Sequence, residues 1–75
     1  MNIGEILKRE RLMAGLSMRE VQANGGPSYV YQCNVENGKM DNLSLSLFIR
    51  WCKAIGCDPA SCLDECVRNN RDSKR

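Results

Sequence analysis

Cys33, Cys52, Cys57, Cys62 and Cys66 are the residues of this 75-residue chain best equipped for chemistry, since a thiolate is both a nucleophile and a soft metal ligand. Four of them fall within residues 52–66, a number that would suit a four-thiolate zinc site. None of their spacings is the C-x-x-C knuckle that structural zinc usually requires, whereas cysteine readily fills small apolar core positions. An odd total and no secretory signal at the start argue against a disulfide framework. The expectation is buried free thiols, with no metal and no cofactor. Histidine is absent, which removes the commonest general base and any Ser–His or Cys–His pair. No Asp or Glu pair sits on an otherwise apolar face, so the chain is not expected to be an enzyme.

Charge narrows the partners. Eleven basic residues against nine acidic give +2. Arg68, Arg71, Lys74 and Arg75 against Asp72 put +3 on the last eight residues and leave −1 on the rest. Any nucleic-acid binding must then rest on locally arranged charge, because the bulk field is close to zero. Hydrophobic residues at 43% and charged ones at 27% describe a globular chain, and the length suits one small domain with a thin core. Apolar runs no longer than Leu47-Phe48-Ile49 exclude a membrane span, and the chain reads as cytoplasmic with no membrane partner.

Five helical segments and no strand are predicted. Asn2 with Glu5 forms a capping box for a helix running to Ala14, with Ile3, Leu7 and Ala14, helped by Ile6 or Met13, facing inward and Gly15 ending it. Ser17 with Glu20 starts a short second helix, stapled by Leu16 on Val21 and ended by Asn24-Gly25-Gly26-Pro27. Ser28 caps a third helix that stops at Asn37-Gly38, and a polar loop of Lys39, Met40, Asp41 and Asn42 follows. Ser44 caps a fourth, with Leu45, Phe48, Cys52 and Ile55 on its inner face and Gly56 at its end. Asp58-Pro59 opens a fifth that is predicted to reach about Val67, with Cys62, Leu63 and Cys66 inward. Leu47, Ile49 and Trp51 make the fourth helix more apolar than one buried face needs. Either it is a core-rich helix, or these residues join Leu63 and Val67 in a dimer patch.

The second and third segments, joined by a tight glycine turn, have the layout of a helix-turn-helix unit. Gly15-Leu16-Ser17, Glu20-Val21, Gly26, Ser28 and Val35-Glu36-Asn37-Gly38-Lys39 resemble, in order and without a gap, the lambda-repressor-like, Cro-type helix-turn-helix family. Ser44-Leu45, Arg50, Lys53-Ala54-Ile55-Gly56-Cys57-Asp58 and Leu63 look like its fourth and fifth helices. The resemblance implies an all-α, compact five-helix DNA-binding domain over residues 2–67; the tail after it, 68–75, is polar and basic and from its composition is expected to be disordered. It further implies a sequence-specific transcriptional regulator, a repressor that binds a palindromic operator in double-stranded DNA as a homodimer. An ion pair between Arg11 and Glu36 is implied as well; from the residues alone these are two surface charges worth under about 1 kcal/mol.

Carried over by position, the DNA-facing side chains are Met18 and Arg19 at the start of the second helix, and Ser28, Tyr29, Val30, Cys33 and Asn34 on the third. Asn34 is placed to read a base, since a carboxamide can pair bidentately with adenine. Ser17, Ser28, Asn37 and Lys39 are natural phosphate contacts. The chain departs from the family at several of these places. Gln32 stands where an isoleucine or leucine is usually buried and must find hydrogen-bond partners, or the third helix must be rotated or shifted. Gly25 replaces an apolar residue, Gln22 a small alanine, Met18 a DNA-bonding glutamine, and the third helix carries no lysine or arginine. The alternative is a helix-turn-helix module that works through a protein partner, antitoxin-like, with weak or lost DNA binding.

Overall fold

The first four helices each begin at a side-chain cap. In α1 (Ile3–Met13), the Asn2 side chain accepts the Glu5 N–H at 2.9 Å and the Glu5 carboxylate accepts the Asn2 N–H at 3.4 Å. Ser17 and Glu20 make the same reciprocal pair at the start of α2 (Met18–Ala23), at 3.1 and 2.9 Å. Ser28 opens α3 (Tyr29–Glu36) by accepting the Tyr31 N–H, and Ser44 opens α4 (Leu45–Ile55) by accepting that of Leu47. Gly56, left-handed at φ 95°, ends α4, and α5 (Pro59–Ser73) follows. The structure, a computed structural model, describes residues 2–40 and 43–73, with the backbone alone for 69–73. Asp41 and Asn42 of the expected polar loop, and Lys74 and Arg75 of the tail, lie outside the described residues.

Among the described residues the fold is all-helical and compact, with α1 packed on α3, α4 and α5, and α2 wedged between α3 and α4. Ile6 and Leu7 of α1, Val21 of α2, Val35 of α3, Phe48, Trp51 and Cys52 of α4, and Cys62 of α5 form the core. Two glycines permit the closest approaches. A Cβ on Gly4 would lie 2.1 Å from the Val35 carbonyl oxygen, so α1 can cross α3 at this depth only without a side chain there. One on Gly26 would meet Val21 Cγ1 at 2.7 Å and Ala54 Cβ at 3.3 Å, which presses the α2–α3 connection against α4.

Several inward assignments are corrected. On α1, Met13 is 74% exposed and Ala14 is exposed, while Ile6 and Leu7 carry the buried stripe. Leu45 is 65% exposed and Leu63 46%, whereas Trp51 is wholly buried and tilts against Tyr31 with ring centroids 6.4 Å apart. Ser46, Arg50 and Lys53 share one side of α4, and the opposite side buries Phe48, Trp51, Cys52 and Ile55, so the largest apolar surface, Trp51, goes inside. Trp51 is therefore unavailable to any dimer patch. Helix α5 also continues past Val67 to Ser73. No glycine or proline interrupts residues 60–73, and Arg68 pairs with Asp64 one turn back. Residues 68–73 of the expected tail are thus helical.

Candidate nucleic-acid interface

Helix α3 is fixed on its inner side by polar bonds as much as by packing. Arg11 reaches Glu36 with two parallel bonds of 2.9 Å, Nε to Oε2 and Nη2 to Oε1, and its Nη1 donates to the Leu16 carbonyl at 2.9 Å. Arg11 is 7% and Glu36 5% exposed, so the pair lies well below the surface. The bonds to Glu36 push the Arg11 pKa above the ordinary guanidinium value and hold its charge in place. This fork ties the last turn of α3 to α1 and to the segment leading into α2.

Gln32 fills the position where the family pattern has an aliphatic residue, and it is fully buried. Its Nε2 donates to the carbonyls of Met18 at 2.8 Å and Pro27 at 2.9 Å, so the amide bridges α2 to the turn. Its Oε1 finds no partner among the described residues. Gln22 does what the small alanine of the pattern cannot. Its Oε1 accepts the Tyr29 N–H at 2.8 Å, which caps α3 from across the turn. Asn24 Nδ2 donates to the Ala54 carbonyl at 3.2 Å and Arg50 reaches the Gly25 carbonyl at 3.4 Å, so the turn is also held to α4. Gln22, Asn24 and Arg50 were not singled out from the sequence as site residues, because such bonds depend on which backbone groups the fold brings near.

The outer side of α3 presents a different surface. Tyr29 is 44% and Val30 65% exposed, Ser28, Asn37 and Lys39 are exposed, and Cys33 and Asn34 are half-buried. From α2, Ser17 and Arg19 are exposed, and Met18 is half-buried. The Arg19 guanidinium lies 5.2 Å from the centre of the Tyr29 ring, which brings two expected contact residues from different helices into one stack. Asn37 Nδ2 donates to Cys33 Sγ at 3.3 Å. The Asn34 amide makes no hydrogen bond among the described residues, although its backbone carbonyl accepts the Lys39 N–H at 2.8 Å. No protein-family model, curated protein or solved structure matches this chain.

One expected contact changes character. The Ser17 N–H and hydroxyl are both engaged with Glu20, and these bonds hold the Glu20 carboxylate below its usual pKa. The start of α2 therefore already carries an anion. Arg19 and Lys39 are the exposed cations nearest in the chain to the two helices and their turn.

Proposed function

We propose that this chain is a lambda-repressor-like helix-turn-helix protein that binds operator DNA through the outer side of α3 and represses transcription by covering promoter DNA. The single observation that carries this reading is the division of α3 into two sides. Tyr31, Gln32, Val35 and Glu36 lock the helix to the body, while Tyr29, Val30, Cys33 and Asn34 stand on the opposite side with little structural work to do. A major groove about 12 Å wide admits one helix held in this way. Asn34 supplies a bidentate carboxamide for adenine, and Tyr29 and Val30 supply apolar surface for a thymine methyl. Arg19, Lys39 and the hydroxyls of Ser17 and Ser28 supply the phosphate contacts.

The partner in this reading is a second copy of the chain. Exposed Leu45 and Leu63 border an apolar groove of about 260 Å³ between α1, α4 and α5 that Ile3, Leu43, Phe48 and Cys66 also line. A two-fold pairing on this side sets two recognition helices about 34 Å apart, one DNA turn, and calls for a palindromic site. Sedimentation with and without operator checks the pairing.

One observation favours the second reading, a module that binds a protein partner. The outer side of α3 has no lysine or arginine and exposes Val30 and part of Tyr29. Salt titration of binding to random duplex DNA separates the two. Phosphate contacts give affinity that falls steeply with salt, and a flat response favours the protein partner.

A further inference from the structure

Away from α3, the densest group of reactive side chains lies where α4 turns into α5. Cys52 in the last turn of α4, Cys57 after Gly56, and Cys62 in the first turns of α5 hold their Sγ atoms within 4.8 Å of one another. We propose that these three sulfurs form a binding site for one soft, thiophilic metal ion, held by three thiolates at the α4–α5 corner.

The backbone brings them together. Gly56 reverses the chain at φ 95°, and the Cys57 N–H bonds the Cys52 carbonyl at 3.0 Å, which folds Cys57 back over the end of α4. The Cys62 N–H bonds the Asp58 carbonyl at 3.2 Å, so Cys62 sits one turn into α5 and meets the other two sulfurs. One ligand thus leaves a helix, one lies on the turn and one enters the next helix. The missing C-x-x-C knuckle speaks against a four-thiolate zinc site but not against this arrangement.

Distances and chemistry fit a metal. A metal–sulfur bond of about 2.3 Å sets the sulfurs of a tetrahedral or trigonal centre about 3.8–4.0 Å apart. Cys57 and Cys62 are already 3.7 Å apart, and closing the remaining separations requires movement of less than about 1 Å. Thiolate donors select soft ions, and the half-buried Cys57 gives access to a pair that is otherwise buried. Burial pushes the Cys62 thiol up to about 12 and the Cys52 thiol still higher, so these two buried sulfurs are neutral thiols without a metal. Binding a divalent ion breaks three S–H bonds, makes three metal–sulfur bonds and releases three protons to solvent, leaving one net negative charge. Glu10 of α1 is the carboxylate that acts on Cys62, and Arg9 holds it at 2.9 Å, which offsets its charge.

The test is titration of the reduced full-length protein with Cd(II), read by the thiolate-to-metal charge-transfer absorbance and by proton release. One ion per chain, close to three protons and metal-dependent protection of the half-buried Cys57, but not of Cys33, from alkylation are expected. Cys57→Ser alters the turn cysteine and spares the two buried ones, and it is expected to weaken Cd(II) more than about 100-fold, beyond what outer-shell changes cost. Cys33→Ser leaves binding unchanged. If Cys57→Ser does not fold by circular dichroism, the alkylation pattern of the wild-type protein decides. No charge-transfer band at micromolar Cd(II), a band undiminished in folded Cys57→Ser, or equal protection of Cys33 overturns the site.

Discussion

The two sides of α3 differ less in polarity than in what their polar groups are committed to. On the inner side, Gln32 and Glu36 spend their hydrogen bonds on Met18, Pro27 and Arg11, with geometry that admits one rotation and one height for the helix. On the outer side, Asn34 makes no side-chain bond among the described residues, and Tyr29 only stacks beneath Arg19. A buried polar group is costly when its partner is missing and therefore specifies a position. An outer one left without an internal partner is open to a ligand. The side that fixes the helix and the side that is free to recognise something are thus opposite faces of the same eight residues.

This contrast can be broken by mutation. The largest loss is expected for Glu36→Ala, which strands Arg11 in the interior and should cost about 3–5 kcal/mol by chemical denaturation. Coupling with Arg11→Ala in a double-mutant cycle should be strong; additive losses would mean the fork does not anchor α3. Gly4→Ala comes next. Its new Cβ meets the Val35 carbonyl at 2.1 Å, and the overpacking should cost about 1–3 kcal/mol or more. Outer substitutions should behave in the opposite way. Val30→Ala and Asn34→Ala should change stability by less than about 0.5 kcal/mol, while Asn34→Ala removes about 1–3 kcal/mol of discrimination at one base pair. Equal destabilisation on both sides would erase the distinction.

The smallest effect concerns Glu65, which ties α5 to α1 through Arg9 at 2.8 Å and whose pKa is lowered chiefly by that hydrogen bond. A carboxylate with a depressed folded pKa contributes stability above its unfolded value, near 4.5, and loses it as pH falls through the folded value. Stability should therefore decline on acidification below that range, and less steeply in Glu65→Gln. The exposure of the pair keeps the difference small, and parallel acid limbs for the two proteins would remove Glu65 from the account.

Much of the fold was legible because its signals are short-range. The Asn2–Glu5 and Ser17–Glu20 boxes need three residues of sequence, and the structure forms both. The inner side of α4 was legible in part: Phe48, Cys52 and Ile55 are buried as expected, whereas Trp51, also opposite Ser46, Arg50 and Lys53, was expected beside that stripe and Leu45 within it. The extent of α5 was missed because a polar, basic composition reads as frayed, although nothing in residues 60–73 breaks a helix. At the candidate site, the need of Gln32 for partners could be foreseen but not their identity. The cap that Gln22 gives α3 and the meeting of Cys52, Cys57 and Cys62 depend on tertiary proximity. Spacing rules drawn from common zinc knuckles do not encode it.

Selection of binding sites from random duplex DNA, run in parallel with wild-type protein and Asn34→Ala, tests the recognition role of the outer side of α3 most directly. Wild-type protein should enrich a palindrome with half-sites one helical turn apart, and Asn34→Ala should lose preference at one symmetric pair of positions while keeping its fold. Failure of the wild-type protein to enrich any sequence, or identical sites for both proteins, would contradict it.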